Sequence, residues 1–244
     1  MKTISKLAIL ATCACLLTTG RLARANGPTL GTMKADGILF LGNSITVVGP
    51  PNYWGASAST AAKDYAHLLT QRINDAAKGS LTITPPNPPF GRWYRGNPGP
   101  DWDGNLLNIA DIFERNYDTW DSVRIQKQLA LKPDIVVLQF GENIPAESFD
   151  AAKFKNALRT LLTDLKKSSN PEIFMPSYIL GSNATVDAIK CELCAEDPDH
   201  RVIVDLSKVG PDATRGASAH PNDEGMAIIA DTLYKAMVAH SVPK

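Results

Sequence analysis

The feature that most limits how this chain can fold is an alternation of short, almost wholly apolar runs with longer amphipathic ones. Gly37-Ile-Leu-Phe-Leu-Gly42 is brief, has no polar face and ends at a glycine, which fits a buried strand. Segment 59–78 then sets Tyr65, Leu68, Leu69 and Ile73 on one helix face. The pattern repeats in Asp134-Ile-Val-Val-Leu-Gln-Phe140, a β-branched run after Pro133, and in 149–167, where Phe154, Leu158, Leu161, Leu162 and Leu165 share one side. Glu172-Ile-Phe-Met175 and Arg201-Val-Ile-Val-Asp-Leu206 read as two more strands, and 224–238 as a closing helix through Met226, Ile228, Ile229 and Leu233. Leu106 to Ala110 reads as a short strand and 117–131 as a helix. Strands without a polar face, separated by helices, imply an α/β chain whose parallel sheet is covered on both sides. Segment 85–105 is dense in Pro and Gly and carries Phe90, Trp93, Tyr94 and Trp102, so it is expected to be a long loop of the kind that carries function.

The first 25 residues read as an export signal, with Lys2 and Lys6, an apolar run over 7–17, and Ala23-Arg-Ala25 as a small-x-small cleavage site. The apolar run is well short of the roughly 20 residues that span a bilayer, so no integral membrane segment is expected after signal removal. Residues 26–244 are then a single secreted or periplasmic domain. The 25 basic residues balance 25 acidic ones without any basic block, which excludes nucleic acid as a partner. Cys191 and Cys194 remain in an oxidising compartment and suggest a local disulfide. Asp187 to Lys190 and the acidic stretch behind it read as loop, which does not suit a C-x-x-C redox centre, and His200 alone does not make a zinc site.

In an open parallel sheet, ligands bind beyond the carboxyl ends of the strands, and those ends here hold small or polar residues. The first runs into Gly42-Asn-Ser44-Ile-Thr46, the second closes near Asn108 to Asp111, and the third runs into Gly141-Glu-Asn143. A serine hydroxyl needs a base within hydrogen-bond reach to become a nucleophile. Of the four histidines, His67 lies inside an amphipathic helix, His200 follows acidic residues and His240 sits in the tail. His220 opens Pro221-Asn-Asp-Glu-Gly-Met226 just before the last helix and is the available base, with Asp223 placed to start that helix.

Three of these blocks resemble those of SGNH/GDSL-type hydrolases. Ile38-Leu-Phe-Leu-Gly-Asn-Ser-Ile-Thr46 looks like their first block, Val137-Leu-Gln-Phe-Gly-Glu-Asn143 is similar to their G-x-N block, and His220-Pro-Asn-Asp-Glu-Gly-Met226 matches their histidine block. The resemblance implies a three-layer α/β/α, flavodoxin-like domain with a five-stranded parallel sheet, and ester or carbohydrate-ester cleavage that needs no metal and no cofactor. It makes Ser44 the nucleophile, His220 the general base and acid, and the Ser44 N–H with the Asn143 amide the oxyanion donors. The third donor, usually a glycine, aligns with Ala110, with Gly104 as the competing assignment. Three residues before the histidine, where the family commonly has aspartate, this chain has Ala217. The group that holds the imidazole is thus left unassigned among Asp212, Asp205, Glu142 and a backbone carbonyl; Glu142 is also a candidate substrate contact. Tyr53, Trp54, Trp93, Tyr94 and Trp102 are candidate stacking surfaces for sugar rings, with Arg92 and Arg95 for acidic groups. The expected partner is an acylated carbohydrate or another small ester. A polysaccharide O-acyltransferase and a decayed carbohydrate-binding protein are the alternatives.

Overall fold

The structure is a computed structural model that describes residues 29–48, 54–78, 92–95, 109–180, 183–209, 214–216 and 219–241. The export signal, the 106–108 part of the expected strand, Tyr53, Trp102, Gly104, Asp212 and Ala217 lie outside the described residues.

A small antiparallel pair, β1 (Thr29–Leu30) and β2 (Met33–Lys34), precedes the main sheet. Its turn is stapled to the far end of the chain: Thr32 donates to the Ser241 carbonyl from its N–H (3.0 Å) and its hydroxyl (2.7 Å). The main sheet contains β3 (Gly37–Gly42), β4 (Arg92–Arg95), β5 (Ile135–Gln139), β6 (Glu172–Pro176) and β7 (Arg201–Val204). They lie in the order β4-β3-β5-β6-β7, and every pairing is parallel. The chain leaves β3 toward β4 on one side and reaches β5 on the other, which places a topological switch point between the ends of β3 and β5.

The helices are α1 (Tyr65–Lys78), α2 (Ile109–Asn116), α3 (Gln126–Ala130), α4 (Ala151–Ser169), α5 (Ala184–Ala195) and α6 (Asp223–His240). Alternate residues of β3 and β5 enter different cores. Ile38, Phe40, Ile135 and Val137 pack with Tyr65, Leu69 and Ile73 of α1 and Met226, Ile229 and Leu233 of α6. Leu39, Leu41, Val136 and Leu138 pack with Phe113 of α2, Phe154, Leu158 and Leu161 of α4, and Val186 and Leu193 of α5. Helices thus cover both faces, which is why β3 and β5 are buried at every position. Local chemistry fixes the helix ends. Asp150 caps α4 by accepting from the Ala152 and Lys153 N–H groups, Asn170 closes it in the left-handed region (φ 50), and Asn222 caps α6 through the Gly225 N–H.

Four expectations are corrected. The run 92–95, placed in a loop, is the edge strand β4. Ile109 and Ala110, placed at a strand end, open helix α2. The helix expected over 117–131 is broken into 3₁₀ turns at Tyr117–Thr119 and Ser122–Ile125 followed by α3, because Asp121 caps the second turn through the Val123 N–H. The loop expected around the cysteines is α5. Its buried Val186, Ile189, Lys190, Leu193 and Cys194 follow helical spacing, and Lys190 takes a core position by donating Nζ to the Pro176 carbonyl at 2.7 Å. Cys191 is exposed, Cys194 is buried, and both are free thiols rather than a disulfide.

Candidate active site

The turn after β3 is built around Asn43. Its carbonyl accepts from the Thr46 N–H (2.8 Å) and Val47 N–H (3.0 Å), and its Oδ1 from the Ile45 N–H (3.1 Å). A Cβ at Gly42 would lie 1.7 Å from Thr46 Oγ1, so only glycine admits so tight a turn. Asn43, Ile45 and Thr46 are fully buried, whereas Ser44 between them is partly exposed. Among the described residues the Ser44 N–H meets no protein acceptor. Ser44 Oγ lies 2.8 Å from His220 Nε2. Residues 176 apart in the chain are joined there by the switch point and by the turn that leads into α6.

Asn143 follows the end of β5, where Gly141 adopts φ +124. Its Nδ2 donates to Glu114 Oε2 at 2.9 Å, which leaves the second amide hydrogen for another acceptor. Glu114, on α2, is the residue the sequence reading missed. It is fully buried, and its Oε1 accepts from Asn43 Nδ2 (3.2 Å), the Glu142 N–H (2.9 Å) and the Gly141 N–H. One carboxylate thereby clamps the nucleophile turn to the end of β5. Burial pushes its pKa up to about 7, against the pull of its bonds to Gly141 and Asn143. The available signal was its helical spacing beside Phe113 and Tyr117, two core residues.

The other expected residues are placed as follows. Ala110 lies in the first turn of α2, where N–H groups lack intrahelical acceptors, and not at the end of a strand. Glu142 is neither the partner of His220 nor an open substrate contact. Its Oε1 accepts from the Ile179 N–H (2.8 Å) and Gln139 Nε2 (3.2 Å), and its Oε2 from the Leu180 N–H (3.0 Å). Burial raises its pKa. Asp205 turns to the Ser207 N–H at 2.9 Å. Among the described residues, then, no carboxylate bonds His220, whose ring is held by Ser44. Asp223 does start α6, and it accepts from the N–H (2.8 Å) and hydroxyl (2.7 Å) of Ser59.

Trp54 packs against the core, and its Nε1 donates to the Ala58 carbonyl at 3.1 Å. Trp93 and Tyr94 sit level with Ile38 and Leu39 in the sheet, so even Tyr94 falls about 10 Å short of the end of β3. The remaining histidines serve elsewhere. His67 Nδ1 is 2.9 Å from Asp64, while His200 and His240 flank Glu172 at 3.2 and 2.9 Å, at the opposite end of the sheet.

No family model and no curated protein sequence matches the chain, but solved structures do. A carbohydrate esterase family 2 enzyme with a carbohydrate-binding domain, from Corynascus thermopiles (Myceliophthora fergusii), superposes with a TM-score of 0.54 at 19% identity, covering 84% of this chain and 66% of that one. TesA gives a TM-score of 0.55 at 14% identity, over 82% of this chain and 97% of that chain. The psychrotrophic esterase EstA from Pseudoalteromonas sp. gives 0.53 at 14%, over 82% and 96%. The chain shares its α/β fold with these structures. Of the three blocks that resemble those of SGNH/GDSL-type hydrolases, the first and third meet at the Ser44–His220 contact, and the second lies beside them through Glu114. The chain spans 66% of the length of the first of these structures.

Proposed function

We propose that this chain is an exported serine ester hydrolase, built as one three-layer, flavodoxin-like domain with a five-stranded sheet, that removes short acyl groups, above all acetyl, from a carbohydrate. The 2.8 Å contact between Ser44 Oγ and His220 Nε2 carries this reading. In the mechanism, neutral His220 takes the Ser44 proton as Oγ attacks the acyl carbon, and returns it to the departing sugar hydroxyl. Water then attacks the acyl-enzyme with His220 again as base, releasing the carboxylic acid and restoring Ser44. The Ser44 N–H and the free Asn143 amide hydrogen receive the oxyanion in both steps. The carbohydrate part of the proposal is supported by the likeness to a carbohydrate esterase family 2 structure, not by the aromatic residues.

The test is hydrolysis of p-nitrophenyl acetate and of acetylated glycans by the mature protein, with intact-mass detection of an acyl adduct. Ser44→Ala and His220→Ala are expected to lower kcat by at least about 10³-fold while the circular dichroism spectrum is retained. Turnover that persists in both variants would reject the mechanism.

A further inference from the structure

We infer that Arg215 is a positioning residue of His220, acting through the peptide that precedes it; this rests on the reading of Ser44 and His220 given above. The imidazole is carried by the peptide that follows Ala219, so the geometry of that peptide bears directly on where Nε2 lies relative to Ser44. That peptide is unusual. Ala219, immediately before the histidine, has φ +60, a left-handed conformation that residues bearing a Cβ avoid. Something must hold it there.

The Arg215 guanidinium does so with both arms. Nη1 donates to the Ala219 carbonyl at 2.7 Å, and Nη2 to the Ile179 carbonyl at 2.5 Å. Ile179 is a firm anchor: it is buried, and its N–H donates to the Glu142 carboxylate. The Glu142 N–H in turn donates to Glu114, which holds the Asn143 amide. A continuous run of bonds therefore links the oxyanion side of the site to the peptide of the base. The backbone of Arg215 closes the same loop. It bridges to Pro221, its carbonyl accepts from Asn222 Nδ2 at 3.3 Å, and the neighbouring Gly216 N–H donates to the His220 carbonyl at 2.7 Å. A planar fork presents its N–H groups at a fixed separation, which a compact lysine ammonium does not reproduce, and each such bond is charge-assisted.

The experiment compares wild type, Arg215→Ala and Arg215→Lys on p-nitrophenyl acetate. In Arg215→Ala kcat is expected to fall roughly 10- to 100-fold, the scale of a small misplacement of a catalytic group, with KM within about two-fold. Arg215→Lys, which keeps the charge and is the fallback should the alanine variant fold poorly, is expected to remain impaired. Millimolar guanidinium is expected to restore several-fold activity to Arg215→Ala and none to the lysine variant. Amide exchange at Gly216 reports the loop independently of turnover and is expected to quicken in both variants. Wild-type kcat in Arg215→Ala, or a raised KM at unchanged kcat, which would make Arg215 a substrate contact, overturns the inference. If the wild type cleaves no ester, the proposed function fails, and the Gly216 exchange still decides: unchanged protection rejects Arg215 as the support of this loop, and lost protection upholds it.

Discussion

The two halves of the site are held by opposite means. On the nucleophile side, Asn43, Thr46 and Glu114 are fully buried, and one carboxylate receives side-chain and backbone N–H groups from both strand ends. On the base side, Arg215 and His220 are partly exposed, the backbone takes a disfavoured φ at Ala219, and the bonds run to peptide carbonyls. The first half is rigid because a buried polar group must stay bonded or bear its full desolvation cost. The second is held by hydrogen bonds from groups that stay in contact with water. Substitutions on the nucleophile side should therefore disturb charge and folding stability together, and those on the base side should disturb rate far more than stability.

The sharpest way to break this contrast is Asn143→Ala. Loss of one oxyanion donor is expected to lower kcat by about 10² to 10³-fold with little change in KM, read from steady-state hydrolysis of p-nitrophenyl acetate. Wild-type kcat would remove the buried half from the chemistry.

Next is the response of stability to pH. Glu114 titrates from 4.5 as a free side chain to about 7 in the folded protein. Between these values the native chain binds a proton that the unfolded chain has released, so stability is greatest at the acidic end and declines as pH rises through about 7. The full effect of such a shift is roughly 3 kcal/mol, and Glu142, also raised, adds in the same direction. Urea unfolding at a series of pH values between 5 and 8 should show this slope, and Glu114→Gln should flatten it. An equal slope in the variant would assign the proton uptake elsewhere.

The smallest expected effect is on the base side. Ala219→Gly relieves a left-handed alanine at the expense of a freer unfolded chain, and the net gain is expected to be no more than about 1 kcal/mol, measured by urea unfolding. A loss of stability would show that the Ala219 backbone is not strained.

Ser44 and Asn143 stood out because each sits where an apolar run gives way to small and polar residues, and His220 because it opens Pro221-Asn-Asp-Glu-Gly-Met226 just before the last helix. Glu114 and Glu142 were not, since a carboxylate that will be buried carries no mark of it until the strand ends that supply its donors are known. The same holds for local structure. Arg92 to Arg95 pairs with β3 although it sets two aromatics between two arginines in a stretch of prolines and glycines, because an edge strand needs only one neighbour. The α5 helix was hidden by Lys190, a charge at a core position that becomes acceptable only beside the Pro176 carbonyl. Leu106-Leu-Asn-Ile109 imitates a strand, yet from Ile109 onward the chain is helical, with Phe113, Glu114 and Tyr117 turned to one buried side.

The clasp between Thr32 and Ser241 ties the front of the described chain to its back. Ser241 follows α6, whose other end begins just after the histidine and is pinned to Ser59 by Asp223. Trimming the front beyond Thr32 would consequently loosen the rear anchor of the helix that follows His220, whereas an affinity tag or partner domain joined upstream of Thr29 would leave that anchor untouched.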